Sequence, residues 1–157
     1  MKAFKKIAVI GKYPSKEEST DINSQLLQLV EHLSKKPVEL FVEEKTQQQL
    51  NAQTIQAIAL KDIGACVDLA IIIGGDGTMI GVARNLVDSN TPLVGVNQGR
   101  FGFLADLNTS SMLTNIDSIL NGEYIEDKRM LINTKIIRDD HVVYESLSLN
   151  DIVIKSG

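Results

Sequence analysis

Gly74-Gly75-Asp76-Gly77-Thr78 is the segment whose residue types point most directly to chemistry. Loop glycines let backbone N–H groups approach a phosphate with no side chain in the way. A helix that starts just beyond presents its positive N-terminus to the same spot. Asp76 repels a phosphate unless it holds a metal or accepts a proton, and both are roles in phosphoryl transfer. A plain tight turn, with Asp76 capping a helix that starts at Gly77, is the alternative. A bare Gly-Asp-Gly favours that alternative, whereas five loop residues between a strand and a helix favour a ligand loop. Neither the Walker Gly-Lys-Ser/Thr ending nor the G-x-G-x-x-G dinucleotide pattern is present.

The elements that position this loop follow from hydrophobic spacing. Residues 5–10 and 68–73 read as buried strands, the second with three isoleucines directly before the glycines. Residues 38–42 and 93–96 give two more. Ile22, Leu26, Leu29, Val30 and Leu33 recur at helical spacing, with Thr20 or Asp21 as cap and Pro37 as stop. Met79, Val82, Ala83, Leu86 and Val87 form a second stripe; Met112 to Leu120 carries a third, closed by Gly122. Part of residues 43–61 is expected to be helical. Strand–helix alternation predicts an α/β fold: an open, mostly parallel sheet with helices on both faces. In such sheets ligands bind beyond the carboxyl ends of the strands, where the glycine loop falls.

After Gly122 the alternation stops. Residues 130–137 and 142–154 read as strands around a polar turn at 138–140, with no helical stripe between them. The boundary is therefore set at residues 1–122 and 123–157, the latter being the first strands of a β-rich unit. Two strands alone are marginal as a domain.

The chain has 157 residues, 43% of them hydrophobic, 23% charged and 4% aromatic, with a net charge of −4. These values suit a globular domain. Basic pairs are scattered and no aromatic interleaving accompanies them, so no nucleic-acid partner is expected. No apolar run approaches the roughly 20 residues of a membrane span, and Gly11-Lys12 ends the N-terminal run too early for a signal peptide. Apolar neighbours suggest a buried, inert thiol at Cys66. A cytoplasmic protein with no membrane partner is the expectation. His32 and His141 are expected at the surface.

Beyond the loop, three further stretches carry a resemblance. Val94-Gly95-Val96-Asn97-Gln98-Gly99-Arg100-Phe101-Gly102-Phe103-Leu104-Ala105-Asp106 resembles the N-x-G-x-x-G-F-L-x-D segment of bacterial NAD kinases. Leu149-Asn150-Asp151-Ile152 is similar to their L-N-[ED] segment, and Lys128-Arg129-Met130-Leu131 to their K-R-x-L strand start. With strand-plus-GGDGT, the chain resembles the N-terminal part of the ATP-NAD kinase family. That resemblance implies residues 1–122 as a kinase domain and 123–157 as the start of a truncated, β-rich NAD-binding domain.

It also implies the roles. The family phosphorylates the 2′-hydroxyl of the adenosine ribose of NAD, giving NADP, with ATP or polyphosphate as donor. Asp76 is implied as the catalytic base. Gly77, Phe103, Leu104, Asn150 and Asp151 join Asp76 at NAD, and Gly75 and Thr78 serve as the phosphate loop. Phe103 offers an apolar face to a base, and Asn150 and Asp151 suit ribose hydroxyls. Left to their residue types alone, Phe103 and Leu104 can equally fill a core, and Asn150 and Asp151 can be edge-strand polars. Mg²⁺ or another divalent ion is expected on the donor phosphates, with no protein metal ligand assigned, and a homo-oligomer is implied for the longer protein.

Two departures stand out. Many family members carry Lys or Arg three residues after the GGDGT threonine, where this chain has Gly81. The family also continues beyond the position of Gly157, so a fragment, inactive alone, is expected. Rival readings are a lipid kinase of the same superfamily and a nucleotide-binding domain without turnover.

Overall fold

The computed structural model describes residues 4–11, 19–98, 104, 105, 107–149 and 151–154. The chain divides into two compact units, Met1–Tyr124 and Ile125–Gly157. In the first, β1 (Lys6–Gly11), α1 (Ser19–Ser34), β2 (Glu39–Glu43), α2 (Glu44–Leu50) and β3 (Gln56–Ile58) follow one another. A 3-10 turn leads to α3 (Ile63–Cys66), β4 (Leu69–Ile73), α4 (Asp76–Asn85), β5 (Leu93–Asn97), β6 (Leu107–Asn108) and α5 (Met112–Leu120). Among the described residues six strands form one parallel sheet in the order β3-β2-β1-β4-β5-β6. The fold class is α/β, as the strand–helix alternation predicts.

Central strands are apolar on both faces because both are covered. Ile7, Val9, Ile71 and Ile73 pack with α1 and α5 through Leu26, Leu29, Met112 and Ile116. Alternate residues Ala8, Ile10, Ala70 and Ile72 pack on the opposite face with Ile63, Val82 and Leu86 of the α3–α4 side. The pairs β1–β2 and β1–β4 are joined across long sequence separations. Asp68 Oδ2 accepts the Lys5 and Lys6 N–H groups, each at 3.1 Å, and so pins the entry of β1 to that of β4.

Several expectations need correction. Helix α1 starts at Ser19, so Thr20 and Asp21 lie within its first turn instead of capping it. In the 43–61 stretch, part of which is expected to be helical, residues 44–50 do form an α-helix, and β3 and the 3-10 turn take much of the remainder. The Cys66 thiol is exposed. Helix α3 is a single turn that buries Ile63 and sends Val67 inward just after it, and Cys66 faces out between them. His32 is half-buried, with its Nε2 2.8 Å from Asp117 Oδ1. Gly122 ends the α5 region at φ 89°, a left-handed conformation that glycine adopts without strain.

The second unit is an antiparallel hairpin, β7 (Ile132–Arg138) with β8 (His141–Ser148). Asp139 and Asp140 both take positive φ, 48° and 59°, as a two-residue hairpin turn requires. The second strand stops at Ser148, not at residue 154, and residues 151–154 have no regular structure.

Candidate functional site

The sheet order reverses between β1 and β4, so a crevice opens beyond their carboxyl ends. Gly11 ends β1 opposite Ile73 of β4. The Gly74 N–H donates to the Val96 carbonyl at 3.0 Å, extending the β4–β5 ladder by one residue. The chain then turns into α4. Gly75 is the N-cap: its carbonyl accepts from Thr78 N at 3.0 Å and Met79 N at 3.2 Å, and no side chain caps the turn. Asp76 is therefore the first helical residue, not the cap. Its Oδ1 instead accepts the Leu104 N–H at 3.2 Å, from a residue 28 positions away.

Glycines of the loop divide by what surrounds them. At Gly74 an added Cβ meets Thr78 Oγ1 at 2.7 Å, so the fold itself requires glycine there. At Gly75, Gly77 and Gly81 an added Cβ meets nothing within 4 Å. Gly77 and Gly81 also sit inside a helix, where glycine costs about 0.5–1 kcal/mol relative to alanine. Packing gives no reason for that cost. The space these residues leave is instead part of a cavity of about 580 Å³.

Ile10, Leu60 and Val82 supply the apolar wall of that cavity; Gly75, Gly77, Thr78 and Gly81 supply the side facing the loop. Asn85 completes it, with its Nδ2 donating to the Gly81 carbonyl at 2.8 Å. No charged side chain lines it among the described residues. At roughly 3.6 residues per turn, Asn85 lies about half a turn round α4 from Asp76. The carboxylate thus faces the β5 side, where Leu104 is, and the cavity opens on the β1 side.

Leu104 is buried, and its main-chain N–H makes the contact with Asp76. Phe103 and Asn150 lie outside the described residues. Asp151 is exposed and belongs to the second unit. Among the described residues no group of three or more His, Cys, Asp or Glu side chains could hold a metal. No helix among them is long and apolar enough to cross a membrane.

Sequence reasoning missed three contributors. One is the Leu104 amide, whose donor has no side-chain signature. A second is the pair Gly95 and Ala105, in close approach where β5 passes the returning chain. The third is a buried triad at the exit of β1. Thr46 Oγ1 accepts the Gly11 N–H at 2.9 Å and donates to Glu43 Oε2 at 2.9 Å, all three residues being buried. A Glu-x-x-Thr at a strand-to-helix junction is the signal available for it, since Glu43 also caps α2 through Thr46 N.

Fold and loop together define an α/β domain with a glycine-rich, carboxylate-bearing loop at the switch point of a parallel sheet. The chain belongs to the ATP-NAD kinase family, whose N-terminal domain model matches residues 7–124. It is 39% identical over 154 residues to an NAD kinase of Nitrosomonas eutropha, covering 98% of this chain and 51% of that protein. Against the NAD kinase of Aromatoleum aromaticum it is 38% identical over 157 residues, covering 99% and 51%. The chain therefore spans about half the length of the curated relatives it matches. Among solved structures, yeast NADH kinase complexed with NADH aligns with a TM-score of 0.69 at 12% identity, over 94% of this chain and 47% of that one. An NAD kinase from Archaeoglobus fulgidus in complex with ATP aligns at 0.52 and 16% identity, over 87% and 45%. At such identities the two structures speak for the fold.

Proposed function

We propose that this chain carries the phosphoryl-transfer half of an NAD kinase, which moves the terminal phosphoryl group of ATP or polyphosphate to the 2′-hydroxyl of the adenosine ribose of NAD. The observation that carries the reading is the division of space around the start of α4. A fixed carboxylate lies on one side, and an open cavity lies on the other. An in-line displacement needs its attacking and leaving oxygens on opposite sides of phosphorus. The acceptor ribose belongs beside Asp76, the reacting phosphate over the N–H groups at Gly75 to Gly77, and the remainder of the donor in the cavity.

The chemistry is then short. As the 2′-oxygen bonds to phosphorus, its proton passes to the Asp76 carboxylate and the bond from phosphorus to the donor's bridging oxygen breaks. Aspartate is a far weaker base than an alkoxide, so the proton moves late. Backbone donors and the Thr78 hydroxyl stabilise the charge that builds on the phosphoryl oxygens. Mg²⁺ bound by the donor phosphates would neutralise their charge, and no protein ligand is assigned to it. Phe103, Leu104, Asn150 and Asp151 contribute to NAD binding, with 1–122 as the kinase domain and 123–157 as the start of the NAD-binding domain. NADP biosynthesis in the cytoplasm by a homo-oligomer completes the proposal.

The test is NADP formation from NAD, ATP and Mg²⁺ by the longest natural form of the chain, beside its Asp76→Asn variant. Activity in the parent and its loss in the variant support both reaction and base. Labelled phosphate on diacylglycerol, with none on NAD, assigns the chain to lipid phosphorylation instead. Nucleotide binding that is indifferent to Asp76→Asn, without turnover, leaves a binding domain.

A further inference from the structure

We propose that Gly95 is a positioning residue for Asp76, acting through the backbone of residues 104 and 105. Gly95 is buried in the middle of β5, where the chain returning towards β6 crosses it. A Cβ built there stands 3.0 Å from Ala105 Cα, 3.2 Å from Ala105 Cβ and 3.4 Å from Met79 Sδ. Carbon atoms rest at about 3.5–4.0 Å from one another, so any side chain displaces the crossing segment by a few tenths of an ångström. Ala105 and Leu104 are themselves buried, and the contact involves main chain, not the end of a flexible side chain.

That displacement matters because the next link has no slack. Leu104 N lies 3.2 Å from Asp76 Oδ1, at the long end of the N–H···O range of roughly 2.7–3.2 Å. A shift of a few tenths of an ångström in the Leu104 backbone changes the length and angle of that bond, on which its strength depends steeply. Tying Oδ1 fixes the rotation of the carboxylate, and with it the direction in which Asp76 meets an acceptor. Met79 lies on the same helix as Asp76, so Gly95 gauges the gap between that helix and the crossing segment from both sides. The effect on turnover rests on the reading of Asp76 as the base; the hydrogen bond does not.

The experiment has two arms. In the labelled 157-residue chain, NMR reads the through-bond coupling between the Leu104 amide nitrogen and the Asp76 carboxyl carbon. The coupling is expected in the parent and is expected to be lost in Gly95→Ala. Gly95→Ala with Ala105→Gly, which removes the Cβ at 3.2 Å but not the Cα at 3.0 Å, is expected to restore it in part. Amides of β1 and β4 report whether each variant folds. In the longest natural form, Gly95→Ala is expected to lower kcat by about tenfold or more, as small misplacements do, with KM for NAD little changed.

A parent chain without the coupling, or a Gly95→Ala chain that keeps it, overturns the proposal. So does a double variant that fails to fold or folds without the coupling. Lost coupling with unchanged kcat sinks the positioning role alone. Full turnover in Asp76→Asn sinks the assignment of the base while the Gly95 contact stands.

Discussion

Gly74 and Thr78 occupy one shared space: a Cβ on the glycine would lie 2.7 Å from the threonine hydroxyl and 2.9 Å from its Cβ. The turn from β4 into α4 is tight because one partner has no side chain. Gly74→Ala is expected to destabilise the fold by about 1–3 kcal/mol, as overpacking does. Gly74→Ala combined with Thr78→Ala should recover part of that loss, since the hydroxyl and methyl go and the Cβ at 2.9 Å stays. Urea unfolding of the three variants checks it; an additive pair would mean that the two residues do not share the space.

Asp76→Asn keeps the shape of the carboxylate and removes its basicity. A fall in kcat of about 10²–10⁴-fold is expected, with NAD affinity within a few-fold of the parent. Steady-state rates beside equilibrium binding of NAD separate the two quantities. A loss confined to KM would make Asp76 a binding residue only.

Gly81 separates stability from ligand space. Since nothing surrounds its Cβ position, Gly81→Ala should stabilise α4 by about 0.5–1 kcal/mol and raise Tm by a few degrees. Gly81→Leu fills the cavity and should weaken ATP binding by about tenfold or more, with no fall in Tm. Thermal scans and calorimetric titration give the two readings. A Gly81→Leu chain with undiminished ATP affinity would move the donor out of the cavity.

Thr46 serves two buried partners at once. Thr46→Val leaves the Gly11 N–H without its acceptor and takes a donor from Glu43, at an expected cost of about 2–3 kcal/mol. Thr46→Ser should cost clearly less. Equal losses would point to the methyl group's packing as the cause.

Asp117 joins α5 to the end of α1 through His32 and Lys36, each at 2.8 Å from its Oδ1. Burial pushes its carboxyl up, but hydrogen bonds from Lys36 and His32, with their charges, outweigh this and hold it below its ordinary value. A lowered folded-state pKa means stability fully present above the unfolded value of about 4 and lost as pH falls through the folded value. With 35% of the side chain exposed, solvent screening keeps the gain under about 1 kcal/mol. Asp117→Asn should therefore be slightly less stable than the parent at neutral pH and converge with it in acid. A gap that widens towards low pH would reverse the sign.

Much of this molecule is legible in its sequence, and the illegible parts share a physical cause. Buried strands β1, β2, β4 and β5 and the stripes of α1, α4 and α5 announce themselves because one period of apolar residues must meet a core. Strands β3 and β6 do not: three residues, two of them exposed, and two residues at the sheet's edge carry too little apolar periodicity. The glycine loop and its place after β4 are readable from residue types. Its orientation is not, because a main-chain N–H at Leu104 is available at every non-proline residue and marks nothing. Cys66 misleads for a related reason. Its apolar neighbours describe the segment, whereas exposure is set by which side of a single helical turn each residue takes.

Pinning β1 to β4 also dictates an order of assembly. Gly11 pairs with Ile73, and Asp68 holds the backbone at Lys5 and Lys6, at sequence separations of 62 and 63. Closing so long a loop is slow and is rewarded only when both strands are present. During synthesis, the first strand must wait for the fourth before the crevice between them exists. A chain shorn of its opening residues would keep Gly74 to Thr78 intact as sequence, yet have no neighbouring strand to form the other wall. The crevice beside the glycine loop is thus a property of the chain's beginning as much as of its middle.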